Sequence, residues 1–328
     1  MRTGLIGLGN ISLKYVKGLK EATFFDLVAV CDTNQDAIGL TIYKKQRFYQ
    51  SHEEMIQNEK LDYVIIATPP KTHFEIAKYA LEHNVNIIIE KPLTLCGKEM
   101  ESLFALAREK KLVFNTSFHW QNGTEVKYFN RNFDVKKIEE IHISVNDPYS
   151  ADGDNIEQDK IPLEGAFIDS GVNALSLIKM WLPFEDIKLI KRDFLIAKNV
   201  DLPIYYQVKA LIDKVPITIT VDWRKPINLK VTRLVYEGKP FIIHHSKQML
   251  FFENQEYRFD TSEISQTRTN ATKRGVIPAP PRTNNEFQTM DRMERHYFNF
   301  FTNFKGKSNI AMTRNIHRAL FFLDIKEH

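Results

Sequence analysis

The first 118 residues alternate short apolar runs with helical stretches, and this alternation constrains the fold more than any other feature of the chain. Residues 3–7, 25–31, 61–67, 85–89 and 112–114 read as strands. Residues 10–21, 34–45, 51–58, 71–83 and 97–110 read as the helices between them. Strands this apolar are buried on both faces, as in a parallel sheet reached by helical crossovers. Repetition of that unit gives a doubly wound α/β domain.

After residue 118 the pattern changes. Strands are expected over 138–145, 187–196, 204–212, 216–223, 230–236, 241–245, 248–252 and 256–259, many alternating apolar with polar residues. That alternation fits a large open mixed or antiparallel sheet with one wetter face. One helix, 165–181, interrupts the strands, and two more near 285–304 and 313–326 end the chain. The polar stretch 261–285, rich in Thr, Arg and Pro, reads as a long loop. A chain of 328 residues is long for one core. The expected organisation is an α/β domain over 1–118 and an α+β domain over 119–328, its C-terminal helix free to pack back on the first.

Composition narrows the function. Hydrophobic residues make up 43% and charged residues 26%, as in an ordinary soluble globular protein. A net charge of +4 without clustering is far from the basic footprint of a nucleic-acid binder. No apolar run approaches the roughly 18 residues of a membrane-spanning helix. Met1-Arg2-Thr3 runs straight into a strand, without a signal peptide. Cys31 and Cys96 are the only cysteines, so a reducing compartment and a cytoplasmic protein are expected.

The chemistry begins at Gly7-Leu8-Gly9-Asn10-Ile11-Ser12, between the first strand and the first helix. In this setting a Gly-x-Gly turn binds a dinucleotide. Gly7 makes the turn, Gly9 lets the backbone approach the pyrophosphate, and the helix N-terminus offers free N–H groups. Ser12 stands where a third glycine would serve close packing. Asp32 ends the second strand, where a carboxylate accepts hydrogen bonds from the adenosine ribose and repels a 2′-phosphate. Thr33 and Asn34 supply no Arg to bind that phosphate, so NAD is favoured over NADP, with NADP possible. A helix-capping role for Asp32 is the alternative.

Thr68-Pro69-Pro70 is a stiff loop suited to lie beside a cofactor, and His73 either faces the nicotinamide or caps the next helix. Glu90-Lys91-Pro92 follows the apolar run 85–89, so Lys91 stands at a strand's C-terminal end, where open parallel sheets bind ligands. A solvated loop lysine is the commoner fate, and the tripeptide acquires meaning from its company. Asp169 and Asn173 are four apart and share a helix face, with Gly171 between them. They are either ligand groups or a capping Asp with a satisfied buried Asn.

Together, Gly7-Leu8-Gly9-Asn10-Ile11, Thr68-Pro69-Pro70 with His73, Glu90-Lys91-Pro92 and Asp169-Ser170-Gly171-Val172-Asn173 resemble the Gfo/Idh/MocA oxidoreductase family, over nearly the whole chain. The resemblance implies an N-terminal Rossmann domain and a C-terminal domain with a large open sheet. It implies that Lys91 is the catalytic lysine, with a cis bond to Pro92. Asp169 is then the catalytic aspartate, on a helix facing the nicotinamide from the second domain. Homodimers or homotetramers through the open sheet are implied as well.

The chain departs from the common pattern at Asn173, where many members carry a histidine base. An amide takes no proton at neutral pH. This form is similar to the branch of aldose 1-dehydrogenases acting on galactose or arabinose, and an anomeric hydroxyl is acidic enough for a weaker base. The Trp-rich stretch usual in that branch is replaced by Asp147-Pro-Tyr-Ser-Ala-Asp-Gly153. The expected reaction is hydride transfer from C1 of an aldose to the nicotinamide, giving a lactone. An inositol, an amino sugar, another secondary sugar alcohol, or a non-enzymatic cofactor-binding regulator are the alternatives. His119 and Trp120 either touch the sugar or pack at the domain junction. His244 and His245 point to opposite faces of a strand, and no cluster has metal-ligand spacing, so no metal is expected. The aromatic run 297–304 reads as helix core or interface.

Overall fold

In this computed structural model the described residues are 1–20, 22–39, 43, 45–259 and 292–324. The first part of the chain runs β1 (Arg2–Ile6), α1 (Asn10–Leu19), β2 (Asp26–Cys31), β3 (Arg47–Tyr49), α2 (His52–Glu59), β4 (Tyr63–Ile66), α3 (His73–Glu82), β5 (Asn86–Glu90), α4 (Gly97–Glu109) and β6 (Phe114–Ser117). Its sheet has the order β3-β2-β1-β4-β5-β6, parallel throughout. The chain builds outward from β1 to β3, then returns to place β4 against the other edge of β1. Strand order therefore reverses between β1 and β4, and ligands bind beyond the C-terminal ends at such a switch point. Val64, Ile65, Ile66, Ile87, Ile88 and Ile89 are all 0% exposed, as strands covered on both faces require.

Three local expectations differ. In place of a helix over 34–45 there is a 3-10 segment, Gln35–Gly39, while 40–42 and 44 lie outside the described residues. The three-residue β3 is too short to carry a periodic signal. The last strand starts later than the apolar run 112–114, because Leu112 N–H still bonds back to Ala107 O. Its polar residues are buried under a distant segment. Ser308 Oγ accepts from Phe114 N–H at 3.0 Å, and the Asn309 amide both accepts from Thr116 N–H at 2.9 Å and donates to Thr116 O at 2.8 Å.

The second part contains α5 (Thr124–Asn132), β7 (Ile138–Asn146), the short strands β8 (Ser150–Asp152) and β9 (Asn155–Ile156), and α6 (Val172–Trp181). It continues with β10 (Ile187–Ile196), β11 (Pro203–Ile212), β12 (Val215–Asp222), β13 (Leu229–Tyr236), β14 (Lys239–His244), β15 (Met249–Phe252) and β16 (Gln255–Arg258). The sheet order is β10-β11-β12-β7-β13-β14-β15-β16, antiparallel except where β12 lies parallel to β7. Alternate residues of β11 and β12 (Tyr206, Val208, Ile217, Ile219) are buried. Phe167, just before α6, stacks on Tyr206 with centroids 4.6 Å apart. The opposite face carries His142, Ser144, Gln207, Thr218 and Thr220, half-exposed, so the wetter face is present as expected. Helix α5 was not expected: it is mostly polar and buries only Glu125, Val126 and Phe129.

Two further helices, α7 (Arg292–Thr302) and α8 (Ile310–Leu323), follow. By contacts the chain divides into two compact units, the first made of Met1–His119 with Met293–Phe321. Residues 293–321 thus group with the first unit. Tyr297 and Phe301 explain this: both are buried in the core beside Leu5, Leu19 and Phe25, and Tyr297 lies 4.4 Å from the Tyr15 ring. The aromatic run is helix core, as expected. The loop expected over 261–285 lies outside the described residues. Among the described residues no helix is long and apolar enough to cross a membrane.

Candidate active site

The glycine turn takes its shape from crowding on one side and openness on the other. Gly7 has φ +91°, and a Cβ there would lie 2.7 Å from Ala67 O, so no other residue fits. A Cβ on the exposed Gly9 would meet nothing within 4 Å. Among the described residues no side chain caps α1; Ser12 N–H donates to Gly9 O at 3.0 Å, and the N–H groups of Asn10 and Ile11 precede it at the helix start, where an anion would bind. An open cradle over an uncapped helix start fits the pyrophosphate of a dinucleotide.

Two residues expected to touch the cofactor hold the turn itself. Ser12 is fully buried, its hydroxyl 2.6 Å from Gly9 O and 2.5 Å from the Tyr43 hydroxyl, so it supports the turn from behind. Asp32 accepts from Leu8 N–H at 2.7 Å and from Asn34 N–H at 2.9 Å. Each oxygen keeps a further acceptor site, so the bracing role and ribose recognition are compatible.

Glu90 and His73 are both buried and bonded within the protein. Glu90 is buried at the end of β5, and its Oε1 accepts from the Tyr15 hydroxyl at 2.7 Å and from the Tyr297 hydroxyl. Its Oε2 accepts from Lys91 N–H at 3.1 Å. Burial pushes the Glu90 carboxyl above its ordinary range, opposed by Lys91 and the two phenols. Burial likewise holds both tyrosines well above theirs, with Glu90 adding to it. His73 is 0% exposed. Its Nδ1 lies 3.0 Å from both Pro92 O and Leu93 O, and its Nε2 lies 2.8 Å from Thr68 O. Burial lowers the His73 pKa, with the three carbonyls opposing.

Lys91 is half-buried, and its bond to Pro92 is cis, as the resemblance implied. Thr68 is half-buried and Pro69 exposed, whereas Pro70 is buried. His317, which the sequence did not single out, accepts from Leu93 N–H on Nε2 at 2.8 Å and donates from Nδ1 to Thr313 O at 2.9 Å. Burial pushes His317 down to about 4.

In the second unit Asp169 lies in a π-helical turn, Phe167–Gly171, that leads into α6. Asp169 is half-exposed, and its Oδ2 is 3.3 Å from the Ser170 hydroxyl. Ser170 donates to Asp147 Oδ2 at 2.9 Å, and Asp147 Oδ1 lies 2.6 Å from Lys230 Nζ. Asp147 and Lys230 are both buried, and Asn228 Oδ1 accepts from Lys230 at 2.6 Å. Tyr149, half-buried near Asp169 and Asp147, has its pKa raised by desolvation first and by these carboxylates second. Sequence reading missed the Asp147–Lys230 pair, because the two positions are 83 apart. The Asn173 amide donates weakly to Asp169 O at 3.4 Å, and its buried Oδ1 has no hydrogen-bond partner among the described residues. A Cβ at Gly171 would lie 2.5 Å from the ring of Phe167, so close packing there favours glycine.

His119 and Trp120 serve packing. His119 is 3% exposed and stacks on Tyr297, and Trp120 is 2% exposed with His245 beside its ring. His245 is itself held by Glu125 at 3.0 Å and Thr232 at 2.8 Å. Among the described residues no group of His, Cys, Asp and Glu could hold a metal ion.

Residues 1–118 match the model of an oxidoreductase family with an NAD-binding Rossmann fold, GFO_IDH_MocA. The UDP-N-acetylglucosamine 3-dehydrogenase of Acidithiobacillus ferrooxidans is 34% identical over 114 residues, 34% of this chain and 35% of that protein. The myo-inositol 2-dehydrogenase of Thermotoga maritima is 26% identical over 142 residues, 43% of this chain and 40% of that protein. The chain thus spans well under half the length of these curated relatives. The solved structure of the A. ferrooxidans enzyme superposes with a TM-score of 0.74 over 100% of this chain and 98% of that one, at 17% identity, a likeness of fold. The open glycine turn at a β1/β4 switch point lies within the matched segment, so residues 1–118 are similar to the NAD-binding Rossmann domain of the Gfo/Idh/MocA oxidoreductases.

Proposed function

We propose that this oxidoreductase oxidises an aldose of the galactose or arabinose type at C1, giving a lactone. Asn173 carries the reading: its buried Oδ1 lacks a partner among the described residues, and no base stands at its position. An amide at that place orients a hydroxyl but cannot deprotonate one. The substrate hydroxyl must then be acidic, and an anomeric hydroxyl is.

The bound nicotinamide supplies the hydride acceptor. The Lys91 ammonium donates a hydrogen bond to the reacting oxygen and stabilises the negative charge that develops there. Asp169 accepts the hydroxyl proton. Asn173 Oδ1 accepts a hydrogen bond from a sugar hydroxyl and fixes its orientation. Asp32 receives the adenosine ribose, which favours NAD over NADP. The wetter face of the eight-stranded sheet is the surface we assign to a homodimer or homotetramer, readable by sedimentation.

A second reading, oxidation of an amino sugar on a nucleotide, is favoured by the A. ferrooxidans relative, but that sequence match covers only 34% of this chain. A panel of D-galactose, L-arabinose, myo-inositol and UDP-N-acetylglucosamine, each with NAD and with NADP, distinguishes the readings through absorbance of the reduced cofactor. Turnover of an aldose supports the proposal. Turnover of UDP-N-acetylglucosamine or myo-inositol alone, or cofactor binding without turnover, overturns it.

A further inference from the structure

The segment from Lys91 to Leu93 lies just past β5, beyond its ladder, and its main chain is held by side chains at four polar atoms. Lys91 N–H donates to Glu90 Oε2, Leu93 N–H donates to Nε2 of His317, and the carbonyls of Pro92 and Leu93 both face Nδ1 of His73. His73 and His317 are each 0% exposed, so both rings lie away from bulk solvent.

The two imidazoles act differently. The His317 Nδ1–H is committed to Thr313 O, one turn earlier on α8, which fixes the tautomer and turns the Nε2 lone pair toward Leu93 N–H. His73 stands between two loops, with Pro92 O and Leu93 O on one nitrogen and Thr68 O on the other. Thr68 begins the loop at the C-terminal end of β4, beside the switch point. The charged or titratable groups that bear on this pair are Lys91 on His73 and His73 on His317.

We propose that His317 and His73 are positioning residues for Lys91: His317 fixes the chain immediately after it by a hydrogen bond, and His73, packed between that loop and the Thr68 loop, holds the two together by its bulk and by the one N–H that the neutral ring donates. The role assigned to Lys91 rests on the function proposed above, whereas the clamp itself does not. Neither histidine touches a substrate. Two buried imidazoles from different helices converge on one turn, and that turn carries Lys91.

The test uses the full chain and two pairs of variants. His317→Gln retains an acceptor near the Nε2 position, and His317→Leu removes it. His73→Asn retains a donor near Nδ1, and His73→Gln retains one near Nε2. With D-galactose and NAD, kcat is expected to fall at least about tenfold in His317→Leu and to stay within about threefold in His317→Gln, with NADH affinity by fluorescence within about twofold in both. Equal losses in the Leu and Gln variants, or a folded Leu variant with wild-type kcat, would overturn the proposal.

Two readouts need no turnover and so separate this inference from the proposed reaction. The rate of Lys91 acetylation by acetic anhydride, followed by mass spectrometry, should change at least about threefold in His317→Leu while other lysines keep theirs. In long-range 1H–15N spectra of the wild-type protein at neutral pH, His317 should carry its proton on Nδ1. Protonation on Nε2, or unchanged Lys91 reactivity, contradicts the clamp even if no sugar is oxidised. Should the Leu variant fail to fold, the Gln variant and the wild-type spectra decide.

Discussion

The main-chain N–H of Leu93 donates to Nε2 of His317 at 2.8 Å, a bond between positions 224 apart. This bond exists only while His317 is neutral, and burial holds its pKa down to about 4 against an ordinary 6.5. The unfolded chain therefore binds more protons than the folded one between these values, and stability rises with pH across that window. The contribution is complete above 6.5 and lost as pH falls through about 4. A span of that width corresponds to roughly 3 kcal/mol. Urea unfolding should show this acid-side loss, and His317→Gln should flatten it.

Lys91→Met removes the donor proposed to face the reacting oxygen while leaving the main-chain bonds of its loop in place. Loss of one such donor lowers kcat by about 10²–10³-fold. NADH affinity, read by fluorescence quenching, should stay within about twofold. Wild-type turnover in this variant would remove Lys91 from the chemistry.

The two glycines of the turn should separate fold from cofactor binding. Gly7→Ala places a Cβ 2.7 Å from Ala67 O at a φ of +91°, so it should destabilise by about 1–3 kcal/mol and weaken NADH binding with it. Gly9→Val adds a side chain where nothing lies within 4 Å, so melting should be nearly unchanged while NADH affinity falls at least about tenfold. Calorimetry paired with fluorescence titration reads both.

Asp147 and Lys230 form a buried ion pair at 2.6 Å, and Asp147 also orders the Ser170 hydroxyl beside Asp169. Removing one charge leaves the other buried alone, so Lys230→Met should cost about 3–5 kcal/mol in urea unfolding. Adding Asp147→Asn should recover part of that loss. Additive costs would show that the two side chains do not act as a pair.

Much of this molecule was readable from local sequence. The apolar runs located four of the six strands of the parallel sheet and touched the start of a fifth, and Gly7 and Gly9 declared themselves because a turn and an open approach each demand glycine. What escaped was set by distant residues. The polar stretch Asn115–Ser117 looks unlike a buried strand until Asn309 pairs with Thr116, 193 positions away. Glu90 reads as a charge offered to ligand until the Tyr297 hydroxyl, 207 positions on, binds its carboxylate. His73 at a helix start suggests an exposed cap, and only the return of the chain at Pro92 and Leu93 buries it. His317 and Lys230 carry no local signal, since a single histidine or lysine on an amphipathic element usually faces water.

The central claim is that the substrate hydroxyl is anomeric, because Asn173 supplies no base. Its most direct test compares D-galactose with methyl D-galactoside, in which that hydroxyl is blocked, as reductants of NAD. The account predicts NADH formation with galactose, galactonolactone as product, and no reaction with the methyl galactoside. Equal oxidation of both sugars would contradict it and move the chemistry to a secondary hydroxyl.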